Sequence, residues 1–525
     1  MAGNPDEPDE SETGDIEEGV EELVEEEEER SIDFHGGKWM SAFPILWFIG
    51  WAILQSALFR IGSTSGLVAG LLIGLIIGMF FVKGSWETYA NTIFEGMTQR
   101  VAATAVVAWL WAGMFAATIQ AGGFVGGLVW AAQVVNVGEA LFPAITFVLA
   151  SVLATGIGTG YGTTVAFVTL FFPAGVLVGA NPVLMFASIL SGAVFGDNLA
   201  PVSDTTIVSA VTQNADIGGV VASRFKYSIL AAIAATIGYV IAGSSMDGLE
   251  IGGGAGQVMA QAAEPAGLIH LISMLIVIFT AFRGRHIVEA ISWGIVFAFI
   301  FNIVLGLAPV TAMIHLQVPA EAPLAGLTKV LPFATISETA AVSGSIYSGA
   351  VGFFPMVVLV LLIVSAVWIM VRGGGFEALL DWLLGSVANN VRSAELTMVL
   401  GTAIINTMIT INTAAEIAIA PYIGNIGERF NLNGYRRANI LDANTSAMGY
   451  VFPWSGGVLV GYQAMVSQVV PRFEWFTMEM VVNPAAVFPF VFHSWFLVLT
   501  FVIAAITGFG REYITDRSPE EVARV

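Results

Sequence analysis

The stretch GDNLAPVSDTT, Gly196 to Thr206, decides how this chain is read. It sets two carboxylates, Asp197 and Asp204, seven residues apart with Pro201 between them. From Val101 to Gly196 the only charged side chain is Glu139, so the two acids close a long apolar run. A charge at bilayer depth costs several kcal/mol unless it is partnered, and such residues are as a rule functional. Were 197–204 one helix, both acids would share a face two turns apart. Pro201 has no backbone donor, and Gly196 and Asn198 loosen the turn before it, which argues for an unwound break between two half-helices. Unwound backbone persists in a membrane only where protein or a water-filled cavity surrounds it. The stretch therefore predicts acidic groups at a cavity inside the membrane, the arrangement an ion-coupled transporter requires.

Composition agrees. Hydrophobic residues make up 56% of the 525 and charged ones 11%, against about 25% charged in soluble domains. The absence of cysteine excludes disulfides and thiolate metal sites. His35, His270, His286, His315 and His493 are scattered without metal-ligand spacing. No P-loop or nucleophile elbow is present, which argues against a membrane ATPase or hydrolase; no enzyme activity, cofactor or nucleic-acid partner is expected. The net charge of -21 is mostly local: residues 1–30 hold twelve Glu and three Asp against Arg30. Such a block reads as solvated acidic disorder, the alternative being a regulatory or cation-buffering role. Four lysines against fifteen arginines, with acid in excess, fit a salt-adapted proteome. No basic segment precedes an apolar one at the start, so no signal peptide is expected.

Apolar windows near the spanning length of ~20 residues predict an all-α polytopic membrane protein with eleven to thirteen membrane elements, some of them half-helices or hairpins. Segments 413–424 and 446–470 are ambiguous, and 244–265 and 312–345 read as polar loops. The division is an acidic tail over 1–35, a membrane domain over 36–510 and a polar tail over 511–525. Arg60, Lys83, Arg100, Arg283, Arg285 and His286 favour a cytoplasmic N-terminus by the positive-inside rule. Adding 252 carries Thr155 to Thr407, Asn181 to Asn433, Pro201 to Pro453 and Ser203 to Ser455. This points to a repeat, one copy over about 101–243 and the other over about 350–508. Paired interrupted segments in two halves are the best sequence pointer to a transporter site.

GAVFGDNLAPVSDTT resembles the NhaC family of sodium/proton antiporters, whose usual form is GAxFGDKxSPLSDTT. TGIGTGYGTTVAF, beginning at Thr155, is similar to that family's TGTSWGT segment, and RRANILDANTSAMGYVFPWSGGVLVGY to its LSRTLEDxGTxTSPLIPWN segment. The likeness runs over roughly residues 40–510. It implies two inverted repeats with broken helices and re-entrant hairpins in the cytoplasmic membrane, often in a homodimer, with Na+ and H+ as transported ions. The family also contains sodium-linked malate/lactate exchangers, so a sodium-coupled organic-anion exchanger is the alternative. The chain departs from the pattern in several places. Asn198 replaces the usual basic residue, Asn412 stands where an aspartate is expected, Glu416 is an extra acid, and Trp454-Ser455 replaces Trp-Asn.

Asp204 is the first candidate for the exchanging carboxylate, with Asp197 in support as a second Na+ ligand. Sodium is a hard cation served by oxygen, as calcium is, and Ser203, Thr205, Thr206 and Asn198 surround these acids. The blander role for Asp204 is a helix cap, and for Asp197 a salt bridge to a buried arginine. Thr163 and Thr164, among glycines, are either packing residues or oxygen ligands on a re-entrant tip. Glu416 and Asn412 are the candidates from the second half. Glu139 is expected in an interfacial loop, and Asp442 as a salt-bridge partner for Arg436 and Arg437.

Overall fold

Gly160–Val178 and Pro182–Leu199 are mostly apolar and present no continuous polar face to water, and almost every residue of both is buried. A helix without a polar face belongs at the centre of a bundle. The Ile217–Gly243 helix is divided instead. Tyr227, Ala231, Ala235 and Tyr239 face inward, while Phe225, Leu230, Ile233, Ile237 and Ile241 face out. An apolar outer face of that length suits lipid, not water. The computed structural model describes residues 31–201, 203–248, 263–283, 285–387 and 390–515. Among them, eight helices are long and apolar enough to cross a membrane, from Lys38–Leu58 to Met478–Thr507. Shorter apolar helices, such as Thr64–Met79 and Phe142–Ile157, accompany them. This is a largely helical, multi-pass membrane protein.

The eight helices around the breaks are numbered here in chain order. In the first half α1 is Phe142–Ile157, α2 Gly160–Val178, α3 Pro182–Leu199 and α4 Asp204–Thr212. In the second, α5 is Val391–Ile409, α6 Asn412–Arg429, α7 Gly434–Met448 and α8 Gly456–Ala464. A shift of 252 carries the end of α1 onto the end of α5 and the starts of α2, α3 and α4 onto those of α6, α7 and α8. The caps follow the same shift. The Asn181 side chain accepts from the N–H groups of Val183 and Leu184 at 2.9 and 3.2 Å, and that of Asn433 from Arg436 at 2.9 Å. The turn after α1 is left-handed at Gly158, φ 68°, and the turn after α5 is left-handed at Thr410, φ 65°. Glycine takes that conformation freely; a β-branched residue does so only under strain. Packing of α1 on α3 is close because Gly196 lies against Ala154, where a Cβ would collide.

Segment 312–345 is not a plain loop, and the chain is therefore not wholly α. It holds a small sheet of β1 (His315–Pro319), β2 (Ala334–Ser337) and β3 (Ala341–Ser343) in the order β2-β1-β3. β1 runs parallel to β2, with Leu316 opposite Ala334, and antiparallel to β3, with Leu316 opposite Val342. The ambiguous stretches resolve as α6 and α8. Residues 1–30, most of the 244–265 loop and 516–525 lie outside the described residues. Inward of these limits the ends are packed. Ile32 and Phe34 are buried, and Ile514 N–H donates to the Asn431 carbonyl at 2.8 Å.

Candidate functional site

Four chain breaks meet at the centre: Gly158–Thr159, Ala200–Ser203, Thr410–Ile411 and Gly449–Ser455. Asp197 lies in the last turn of α3, fully inside the protein. Its Oδ1 accepts the Gly160 N–H at 2.7 Å, the first amide of α2, and its Oδ2 accepts the Tyr450 hydroxyl at 2.7 Å. The partner is thus a tyrosine from the second half and a helix N-terminus, where orphan N–H groups suit an anion. No arginine holds Asp197, contrary to the blander expectation. Asp204 opens α4 and is only half-buried; its Oδ2 accepts the Thr413 hydroxyl at 2.5 Å, again from the second half. Ser203 holds the cap position of α4, and the Asp204 carboxylate reaches across to Thr413 of α6.

The neighbouring oxygens are close. The Thr205 and Thr206 hydroxyls donate to the Asp197 carbonyl at 3.3 and 3.4 Å, and the Ser203 and Thr205 hydroxyls are 3.0 Å apart. The Asn198 side-chain oxygen accepts from Ser228 at 2.6 Å, and its carbonyl from Arg224 at 2.6 Å. Thr163 donates to the Thr159 carbonyl at 2.9 Å. Thr164 faces α8 at Gly461 and its hydroxyl has no partner. Neither threonine bonds to Asp197 or Asp204. Asn412 and Glu416 lie on α6, the helix that supplies Thr413.

Asp442 is buried and paired, but not with Arg436 or Arg437. Its partner is Arg224 of the Ile217–Gly243 helix, and it also accepts from Thr206 at 3.2 Å and Ser446 at 2.7 Å. Arg436 pairs instead with Glu395 at 2.7 Å and Arg437 with Glu428. Residues 436 and 442 fall on different sides of α7, so closeness in sequence did not make them partners. Glu139 is exposed in the turn between Phe124–Val135 and α1, as expected. Arg224, Tyr450 and Thr413 were missed. Arg224 left one signal: with Lys226 it is the only base in an otherwise apolar span.

The two halves have traded an acid. Gly160 and Asp197 in the first correspond by the 252 shift to Asn412 and Gly449 in the second. A Cβ on Gly160 would meet the Asp197 carboxylate, and a Cβ on Gly449 would meet the Asn412 amide oxygen. The same pocket is thus filled from α3 by a carboxylate in one half and from α6 by a neutral amide in the other.

A sequence profile of the Na+/H+ antiporter family matches residues 34–244 and 257–495. The chain belongs to the Na+/H+ antiporter family. This is a transporter family and not one of enzymes. An uncharacterized protein of Haemophilus influenzae is 28% identical over 165 residues, 31% of this antiporter-family chain and 31% of the relative. Among solved structures, the YdaH transporter of Alcanivorax borkumensis is similar at 15% identity over 89% of this chain and 99% of that one, with a TM-score of 0.36. MtrF of Neisseria gonorrhoeae, described as one of a class of antimetabolite efflux pumps, is similar at 10% identity over 88% and 94%, with a TM-score of 0.39. Among the described residues, no three His, Asp or Glu side chains cluster as a metal site.

Proposed function

We propose that the protein exchanges Na+ for H+ across the cytoplasmic membrane through carboxylates that either ion can occupy, with Asp204 as the exchanging group and Asp197 in support. The observation that carries this reading is a pair of acids flanking an unwound helix junction, each gripped by a hydroxyl from the other half of the chain. A carboxylate taken out of water keeps its charge only against a partner, and a proton or a hard cation serves equally. Asp204 is the freer of the two, with one hydroxyl donor and partial access, whereas both oxygens of Asp197 are held. Ser203, Thr205, Thr206, Asn198 and Asn412 offer further oxygens, and Thr163 and Thr164 line the adjoining helix. Rocking of one half against the other then presents the site to each side. In this reading the halves are inverted repeats and the protein works as a homodimer. The membrane potential supplies about 2.3 kcal/mol per charge per 100 mV.

The organic-anion alternative needs a cation at the site to hold a carboxylate substrate. Arg224, Arg436 and Arg437 are each already paired with an acid, which supports the simple ion exchange. The test is sodium-dependent proton flux in proteoliposomes across a pH series, without organic acid. Asp204→Asn keeps the shape and removes the charge, so exchange is expected to vanish while the protein stays folded. Asp197→Asn is expected to raise the sodium concentration for half-maximal flux more than it lowers the maximum. Near-normal exchange by Asp204→Asn makes that aspartate a structural residue and rejects this assignment.

A further inference from the structure

Glu416 stands apart from the Asp197 and Asp204 pair. It lies one turn into α6, fully buried. Its Oε1 accepts the Thr445 hydroxyl at 2.8 Å, and its Oε2 has no hydrogen-bond partner. The charged groups facing it are few. On α4 there is Asp204, held by Thr413. On α7 there is Asp442, whose charge is matched by Arg224 and whose oxygens take Thr206 and Ser446. On α5 Arg392 and Glu395 lie near the far end, Glu395 being bound to Arg436 and Arg511. On α6 itself Glu428 and Arg429 close the opposite end, and Arg437 of α7 is engaged with Glu428. Arg224 is the one arginine among these breaks, and its guanidinium is shared among Asp442, the Asn198 carbonyl, Asn439 and Ser209. Glu416 has no cation of its own. A buried acid in that position is charged only when something else balances it.

The Thr445 hydroxyl lets both protonation states fit. It donates to ionised Glu416, or it turns to donate to the Leu441 or Asp442 carbonyl, 3.1 and 3.0 Å away, and accepts a hydrogen bond from the neutral acid. Glu416 is also tied to the exchanging group mechanically, since Thr413, three residues earlier on the same helix, grips Asp204.

We infer that Glu416 is a second proton-carrying site, separate from the one Na+ and H+ share, and that it makes each exchange cycle move net charge. This rests on the sodium/proton exchange proposed above. Na+ displaces a proton at Asp204; a further proton bound at Glu416 crosses on the return step and is released on the other side. More than one proton then moves per Na+, and the membrane potential drives the cycle.

The experiment sets the membrane potential in proteoliposomes with potassium and valinomycin. It finds the sodium gradient that nulls a fixed proton gradient. Wild type is expected to give a proton-to-sodium ratio above one and a flux that follows the potential. Glu416→Gln, checked for a single symmetric elution peak in detergent, is expected to exchange one for one and to ignore the potential. An unchanged ratio in Glu416→Gln overturns the inference and leaves the exchange reading standing. Complete loss of exchange in folded Glu416→Gln also overturns it, by placing Glu416 in the shared site. Should Glu416→Gln not fold, Thr445→Val decides. It keeps the acid and removes the hydroxyl, so a potential-driven flux with a displaced pH profile supports the inference, and an undisplaced profile rejects it. Absence of sodium/proton exchange in wild type removes both readings.

Discussion

Thr410 is the residue where the local rules are most plainly broken. A threonine at φ 65° closes α5 where glycine closes α1, and its buried hydroxyl has no partner. Such a conformation costs about 1–3 kcal/mol and persists only where the surroundings enforce it. Beside it is a cavity of about 10 Å³, lined by Tyr161, Gly456 and Trp109 among others, and the Tyr161 hydroxyl is likewise unpartnered. That volume is about the least that holds one water. Thr410→Gly is expected to raise the unfolding midpoint in detergent, with a gain of about 1 kcal/mol from released strain. It is also expected to weaken apparent sodium affinity. A lower midpoint would mean that the hydroxyl, not the backbone, holds the turn. The sequence stretch 406–413 showed polar residues there but not the left-handed turn, because Thr is among the last residues one assigns to it.

At the scale of elements, the breaks were legible because proline, glycine and capping residues act locally. Pro201 and Pro453 mark two of the four junctions, and Asn181 and Asn433 cap the helices the spacing predicted. The partners across the breaks were not legible. Tyr450 and Asp197 are 253 residues apart in sequence, and Arg224 and Asp442 218 apart. No periodicity links residues so distant, and the tempting local pairing of Asp442 with Arg436 and Arg437 was wrong. The start of the Ile217–Gly243 helix offers a check on one such contact outside the spans. Asp216 caps it, accepting the Gly219 N–H at 2.7 Å and the Tyr435 hydroxyl from α7. The Tyr435 hydrogen bond, and then the Gly219 amide, hold its pKa below the ordinary carboxylate value. A depressed folded pKa gives stability that is complete above the unfolded value of about 3.9 and lost as pH falls through the folded one. Melting curves in detergent from pH 6 down to pH 3 are expected to show that acid-side loss in wild type and less of it in Asp216→Asn. Parallel curves would mean that the cap contributes nothing.

For the whole molecule, composition was enough for a polytopic membrane protein, and the ordered motifs were enough for its family. The small sheet at 315–343 was missed because its strands, of five, four and three residues, are too short for an alternating pattern to stand out. Besides the acidic run over 1–30, charge lies largely in loops and at helix ends, as in the Lys38–Glu377 and Arg285–Glu289 pairs, with a few paired or hydrogen-bonded groups at the breaks. The packed core is already engaged at Ile32 and Phe34. A chain beginning at Ser31 is expected to insert and to exchange sodium for protons at close to the full rate. Flux through a truncated protein of verified insertion is the measurement; lost flux would assign the tail to transport itself, and a moved pH profile would assign it to regulation.

The traded acid limits how charge can be added where the breaks meet. A carboxylate at both equivalent positions, 197 and 449, would double the charge where the breaks meet. The second position holds instead the neutral amide of Asn412 beside the bare Gly449. An acid at position 449 itself takes two changes. Gly449→Asp alone would collide with Asn412, so Asn412→Gly must come first. Asn412→Asp, by contrast, sets a carboxylate in that pocket in a single change of nearly the same shape.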